Sequence, residues 1–169
     1  MLFEELSHSS GCFVRRIQRK TDWNPEDGGI EEIVARIFPF SAEDKYSLYW
    51  VDNDRSLEAV VGGLILSRQN VQNIDLLCFS RDEMSSAEIT YSLTPGDTPC
   101  HFANGYHVDI IAEPAQLHQL CELAKKKERK HRRMGKKSLK LHKAKLLDSV
   151  RCTHDDCHWC KDFEKPLLF

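Results

Sequence analysis

Asp54-Arg-Ser-Leu57-Glu-Ala-Val60-Val61-Gly62-Gly63-Leu64-Ile65-Leu66-Ser-Arg68 is the stretch on which the fold turns. Leu57, Val60, Val61, Leu64 and Ile65 recur at helical spacing, and Asp54 stands where a cap belongs. Two adjacent glycines oppose that reading, since each costs a helix roughly 1 kcal/mol relative to alanine. Val60–Leu66 reads instead as a buried strand with a bulge, and the balance favours the strand. The chain from about 46 to 111 is then expected to be mostly antiparallel sheet.

Upstream, Tyr46–Val51 has strand composition. Before it, Ile30, Ile33, Val34 and Ile37 share one face of a short helix over Ile30–Phe38. Asp27 is placed to cap this helix and Pro39 to stop it, with residues 23–29 as the preceding loop.

Downstream, Ile74–Phe79 and Ile89–Leu93 read as strands and Pro95-Gly96-Asp97 as a turn. His101-Phe-Ala-Asn104-Gly105-Tyr-His107-Val-Asp109-Ile-Ile111 carries a two-residue hairpin signal, because both positions of an Asn-Gly turn need positive φ. Such a hairpin sets Cys100, Phe102, His107 and Asp109 on one face. A thiol, an imidazole and a carboxylate together can activate the thiol as a nucleophile. The plainer expectation is a packed cysteine beside a surface His–Asp pair, so Cys100, His107 and Asp109 are catalytic candidates only. A metal-dependent nuclease site using Asp75 and Glu88 lacks the lysine two residues after the second acid, where Thr90 stands. No phosphate-cradling glycine loop, nucleophile elbow or His-Glu-x-x-His motif is present. A non-enzymatic role is therefore expected.

Pro114 opens a helix whose apolar stripe is Leu117, Leu120, Cys121 and Ala124. Beyond it, residues 125–133 are polar all round, which suits an exposed helical extension or a segment that orders on binding. Leu139, Leu146 and Val150 suggest a second short helix after Gly135. The expected fold is α+β: a mostly antiparallel sheet over about 46–111, a short helix before it, a helix after it, and a basic helical arm ending in a small Cys/His knot. The expected division is an acidic α+β domain over 1–124, the arm over 125–150 and a Cys/His tail over 151–169.

Charge is segregated along the same lines. Residues 125–145 hold 12 of the 24 Lys+Arg and a single acid, Glu128, for a net charge of +11. Residues 1–124 hold 9 basic and 20 acidic residues, a net −11. Lys125, Lys126, Lys127, Arg129, Lys130, Arg132, Arg133, Lys136, Lys137 and Lys140 form a cation track suited to phosphate backbones through counterion release. Its lysine richness and lack of interleaved aromatics point away from base reading and stacking. The other readings are an arm that docks on an acidic protein surface, including its own body, and a merely solvated face.

The tail reads Cys152-Thr-His154-Asp-Asp-Cys157-His-Trp-Cys160. Cys157-x-x-Cys160 is a metal-knuckle spacing, and Cys152 and His154 complete a tetrahedral structural Zn²⁺ set. His118 and Cys121, three residues apart on one helix, are the alternative pair of additional ligands. Reduced cysteines in a tail are the plain reading.

Seven cysteines with three crowded near the end suit a reducing setting better than a disulfide framework. No stretch approaches the roughly 18 apolar residues of a membrane span, and the first residues do not read as a secretory signal. The composite expectation is a cytoplasmic accessory protein, with a nuclear location left open for a eukaryotic source. It contacts RNA, DNA or a nucleoprotein complex through the arm and has a zinc-bearing tail. The alternatives are a protein–protein module (inhibitor, immunity or adaptor protein) whose acidic domain meets a basic partner, and a small nuclease or hydrolase.

Overall fold

A computed structural model describes residues 11–17, 23, 29–39, 41–66, 72–95, 101–126 and 131–149. In chain order these form β1 (Cys12–Ile17), α1 (Ile30–Ile37), β2 (Lys45–Val51), α2 (Asp54–Leu66), β3 (Ile74–Ser80), α3 (Arg81–Ser86) and β4 (Thr90–Leu93). There follow α4 (His101–Asn104), β5 (His107–Ile111), α5 (Pro114–Lys125), β6 (His131–Met134) and α6 (Lys136–Ser149). The six strands make one sheet in the order β4-β5-β2-β1-β3-β6, antiparallel at every junction.

The sheet is covered on both sides, and strand alternation sorts its side chains between two cores. Phe13, Leu48, Leu77, Phe79, Val108 and Ile110 point to one face. There they meet Ile33 and Ile37 of α1 and Leu117, Leu120, Cys121 and Ala124 of α5. Cys12, Val14, Ile74, Leu76 and Cys78 point to the other face, against Leu57, Val60, Val61 and Ile65 of α2 and Leu139 of α6. β1 and β3 lie in the interior of the sheet and are lined on both faces, which is why they read as near-continuous apolar runs. The stripe expected for α5 is buried in full, and that of α1 faces the same core, with Ile33 and Ile37 buried and Ile30 and Val34 half-buried.

The stretch 54–66 is a helix, not the expected strand. Asn53 and Ser56 decide its start. Ser56 N–H donates to Asn53 Oδ1 (2.9 Å), and the Ser56 hydroxyl accepts from the N–H groups of Asp52 and Asn53 (3.0 and 3.1 Å). This cap supports the helix, and four of the five apolar stripe residues are buried. Gly63 is explained by close packing rather than by a bulge, since a Cβ there would lie 2.6 Å from the Cβ of Ala103.

The Asn104-Gly105 hairpin is also corrected. Residues 101–104 form one helical turn, closed by Tyr106 N–H donating to Ala103 O (3.0 Å). Neither Asn104 nor Gly105 has the positive φ that a type I′ turn demands. β5 pairs with β4 and β2 instead.

Two elements went unread in the sequence. β1 is one. The other is α3, which is set by a capping box in which Glu83 N–H donates to Ser80 Oγ (3.2 Å) and Ser80 N–H donates to Glu83 Oε2 (2.8 Å).

Candidate functional site

The basic segment does not hang free of the fold. β6 runs antiparallel to β3, with Met134 opposite Ile74, Arg133 opposite Asp75 and Arg132 opposite Leu76. Met134 and Leu139 are buried in the core shared with α2, which fastens both ends of the short β6–α6 connection. The N–H of Lys136 donates to Asn73 Oδ1 (2.7 Å), and α6 starts with Leu139 N–H donating to Gly135 O (3.1 Å). Residues 131–134 are therefore an edge strand, where a helical arm was expected.

This anchoring sorts the cations. Arg133, Lys136, Lys137 and Lys140 are exposed, as is Lys126 at the end of α5, while Lys125 is half-buried. Lys143 faces inward, and burial lowers the pKa of its ammonium. Arg132 is placed on β6 by its register. Lys127, Arg129 and Lys130 lie outside the described residues. Arg133, directly across from the buried Asp75, combines surface exposure with an opposite charge on the neighbouring strand.

A second polar group spans β2, β4 and β5. His107 and Asp109 share one face of β5, as alternation requires, and both are buried. His107 Nδ1 lies 2.7 Å from Thr94 Oγ1 and 3.2 Å from the Thr94 carbonyl oxygen. A carbonyl only accepts, so Nδ1 carries the hydrogen. Asp109 Oδ2 lies 2.9 Å from Lys45 Nζ, and Ser47 Oγ donates to Asp109 Oδ1 (3.3 Å). Burial pushes the Asp109 carboxyl up, but hydrogen bonds from Lys45 and Thr94, with His107 and Lys45 nearby, leave it below its ordinary value. Lys45, Ser47 and Thr94 were not among the candidates from the sequence, and only strand alternation once the register is known brings them in.

The thiol half of the catalytic idea is not among the residues the structure describes. Cys100 lies outside the described residues, and the helical turn at 101–104 removes the hairpin that was to pair Cys100 with Asp109. Asp75 and Glu88 are also separated. Asp75 is on β3 and Glu88 precedes β4, with β1, β2 and β5 between those strands. Neither set forms a catalytic constellation among the described residues.

Cys152, His154, Cys157 and Cys160 lie outside the described residues. No group of three or more His, Cys, Asp or Glu among the described residues is arranged to hold a metal ion. Of the alternative pair, Cys121 is fully buried in the α1/α5 core, and burial pushes its thiol up to about 12. His118 instead lines a groove of about 440 Å³ between α1 and α5, with Val34, Phe38 and Leu117 as apolar walls and Glu31 and Asp44 as acids.

Beneath that groove, Arg15 clips the layers together. Its Nε donates to Ile37 O and its Nη1 to Ser47 O, each at 2.7 Å, while its guanidinium lies 4.8 Å from the centre of the Phe38 ring. Burial lowers its pKa to about 10. This cation lies outside the basic segment and ties the end of α1 to the sheet.

Comparison with protein-family models, with curated proteins and with solved structures found no match. No helix among the described residues is long and apolar enough to cross a membrane.

Proposed function

We propose that this protein is a non-enzymatic accessory factor that contacts a nucleic-acid backbone, or a nucleoprotein complex, through the cationic edge built by β6 and α6. The observation that carries this reading is the fixed exposure of Arg133, Lys136, Lys137 and Lys140 beside an edge strand pinned by Met134 and Leu139. A cationic surface held in place gives up less chain freedom on meeting phosphates than a loose tail does. The lysine-rich track favours phosphate contact over base reading. Lys125, Lys126, Lys127, Arg129, Lys130 and Arg132 extend the same charge along the sequence. In this proposal the tail residues Cys152, His154, Cys157 and Cys160 hold a structural Zn²⁺, which elemental analysis of untagged protein tests directly.

Because β6 belongs to the sheet, substitution is the sound test and truncation at 124 is not. Fluorescence anisotropy of labelled duplex DNA and duplex RNA is expected to show binding that weakens steeply with salt. It is expected to fall further in the Lys136→Gln/Lys137→Gln/Lys140→Gln variant. Binding unchanged by that variant would overturn the proposal.

The acidic groove between α1 and α5 favours one second reading, a protein–protein module. Apolar walls flanked by Glu31 and Asp44 suit a cationic segment of a partner protein. Charge reversal at those two acids, with the lysines intact, separates this reading from the first.

A further inference from the structure

We infer that β4 is a self-pairing edge, through which two copies of this chain join their sheets antiparallel about a two-fold axis at Ser92. β4 ends the strand order among the described residues. The two sheet edges differ in kind. β6 at one end has the sequence His131-Arg132-Arg133-Met134 and exposes Arg133, and charge on an edge discourages pairing. β4 at the other end is Thr90-Tyr91-Ser92-Leu93, with no charge to repel a second copy and every residue exposed.

Hydrogen-bond parity fixes which groups face outward. Thr94 N–H donates to His107 O (3.1 Å), so 94 and 107 form a hydrogen-bonded pair. Bonded and non-bonded pairs alternate along an antiparallel ladder, so Ser92–Asp109 and Thr90–Ile111 are bonded as well. The N–H and C=O groups of Tyr91 and Leu93 therefore point away from β5, towards the open edge. Their side chains are 46% and 62% exposed, and register places both on the face that carries Val108 and Ile110. The Tyr91 ring is steadied by Phe13, with centroids 4.7 Å apart.

A two-fold axis through Ser92 uses all of these groups at once. It sets Tyr91 of each copy opposite Leu93 of the other, as bonded pairs whose backbone groups already face outward. It also lays each exposed aromatic ring beside an exposed leucine on the same face. Centring the axis on Tyr91 or on Leu93 keeps the parity but leaves one of the two apolar residues without its mate. A two-fold interface is self-complementary in this sense. The two β6 edges then stand at opposite ends of the joined sheet.

A pairing of four-residue strands is small beside the roughly 1,200 Å² of stable complexes, so a weak, concentration-dependent dimer is expected. Sedimentation velocity of the full chain over a concentration series tests it. Monomer–dimer exchange is expected, weakened at least about tenfold by Leu93→Lys, with an unchanged circular-dichroism spectrum and melting curve for the variant. Crosslinking gives an independent reading. Position 92 faces its own copy across a non-bonded pair, with Cα atoms about 4.5 Å apart, inside the disulfide range. Ser92→Cys treated with oxidised glutathione is then expected to form a covalent dimer. Thr90→Cys faces position 94 of the other copy and is displaced from its own counterpart by about 13 Å, so it is expected to crosslink no more than the unsubstituted chain. A wild-type chain that stays monomeric throughout the series, or Ser92→Cys that crosslinks no better than Thr90→Cys, would overturn the proposal.

Discussion

Gly63 of α2 and Ala103 of α4 touch so closely that a methyl group on residue 63 would sit 2.6 Å from the Ala103 methyl. This contact lets the two helices approach on the sheet face shared with α6. Gly63→Ala gains roughly 1 kcal/mol in helix propensity but forces an overpacked contact that typically costs 1–3 kcal/mol. A net loss of about 1 kcal/mol is expected, read as a fall of about 2–4 °C in Tm. Ala103→Gly in the same chain removes the 2.6 Å methyl clash and leaves the 3.2 Å approach to the backbone nitrogen of residue 103. The double-mutant cycle is expected to show a favourable coupling of at least about 0.5 kcal/mol, and additive effects would count against the contact.

The Asp109 carboxyl, held below its ordinary value beside Lys45, Ser47 and Thr94, makes stability depend on acid. The folded state keeps this group ionised to lower pH than the unfolded chain does. Its contribution is therefore complete above the ordinary carboxylate range of about 4 and is lost as pH falls through the lower, folded value. Asp109→Asn is expected to lower stability at pH 7 and to flatten the decline below about pH 4. Urea melts at a series of acid pH values measure both, and an unchanged acid limb would exclude Asp109 as its source.

Cys121 is a core residue with a thiol pushed up to about 12. A thiol that is both protonated and inaccessible is expected to resist alkylation until the chain unfolds. Mass-spectrometric labelling of residue 121 is then expected to follow the global denaturant curve. If the tail holds Zn²⁺ as proposed, zinc content is expected to be unchanged in Cys121→Ala. Loss of metal in that variant would return Cys121 to the ligand set.

If the β6–α6 edge meets phosphates, binding has a countable salt dependence. Each neutralised phosphate of a duplex contributes about 0.9 to the slope of log K against log salt. Converting Lys136, Lys137 and Lys140 to glutamine is expected to lower that slope by up to about 2.7. A slope that does not change would place the contacting cations elsewhere.

Part of this organisation was legible in the chain. The Ile30–Phe38 and Pro114–Ala124 stripes need only a helical period, and the runs at 46–51, 74–79 and 89–93 need only strand composition. Each became the corresponding element within a residue or so at either end. Ser80-x-x-Glu83 was a readable capping box for α3. Cys12-Phe-Val14 is a short apolar run, legible as a buried strand.

For the candidate sites, sequence placed the charge of the basic segment and the shared face of His107 and Asp109. It did not place Lys45, Ser47 and Thr94 beside them, because their contacts cross from strand to strand. Of the misread elements, 131–134 became a strand by pairing with the distant β3, and the other two failed for one reason. Gly62-Gly63 and Asn104-Gly105 carry local preferences of about a kilocalorie each, and packing of comparable or larger size overrode them.

The sequence by itself determined the segregation of charge and the amphipathic periods of α1 and α5, since these depend on neighbours three or four residues apart. Only the tertiary structure decided that the helical stripe of 54–66 prevails over its two glycines, that residues 101–104 form a helical turn against it, that β1 lies between β2 and β3, and that 131–134 close one edge of the sheet. Each of those outcomes rests on contacts between residues distant in the chain, such as Gly63 with Ala103 and Asp75 with Arg133, and no local window contains both partners.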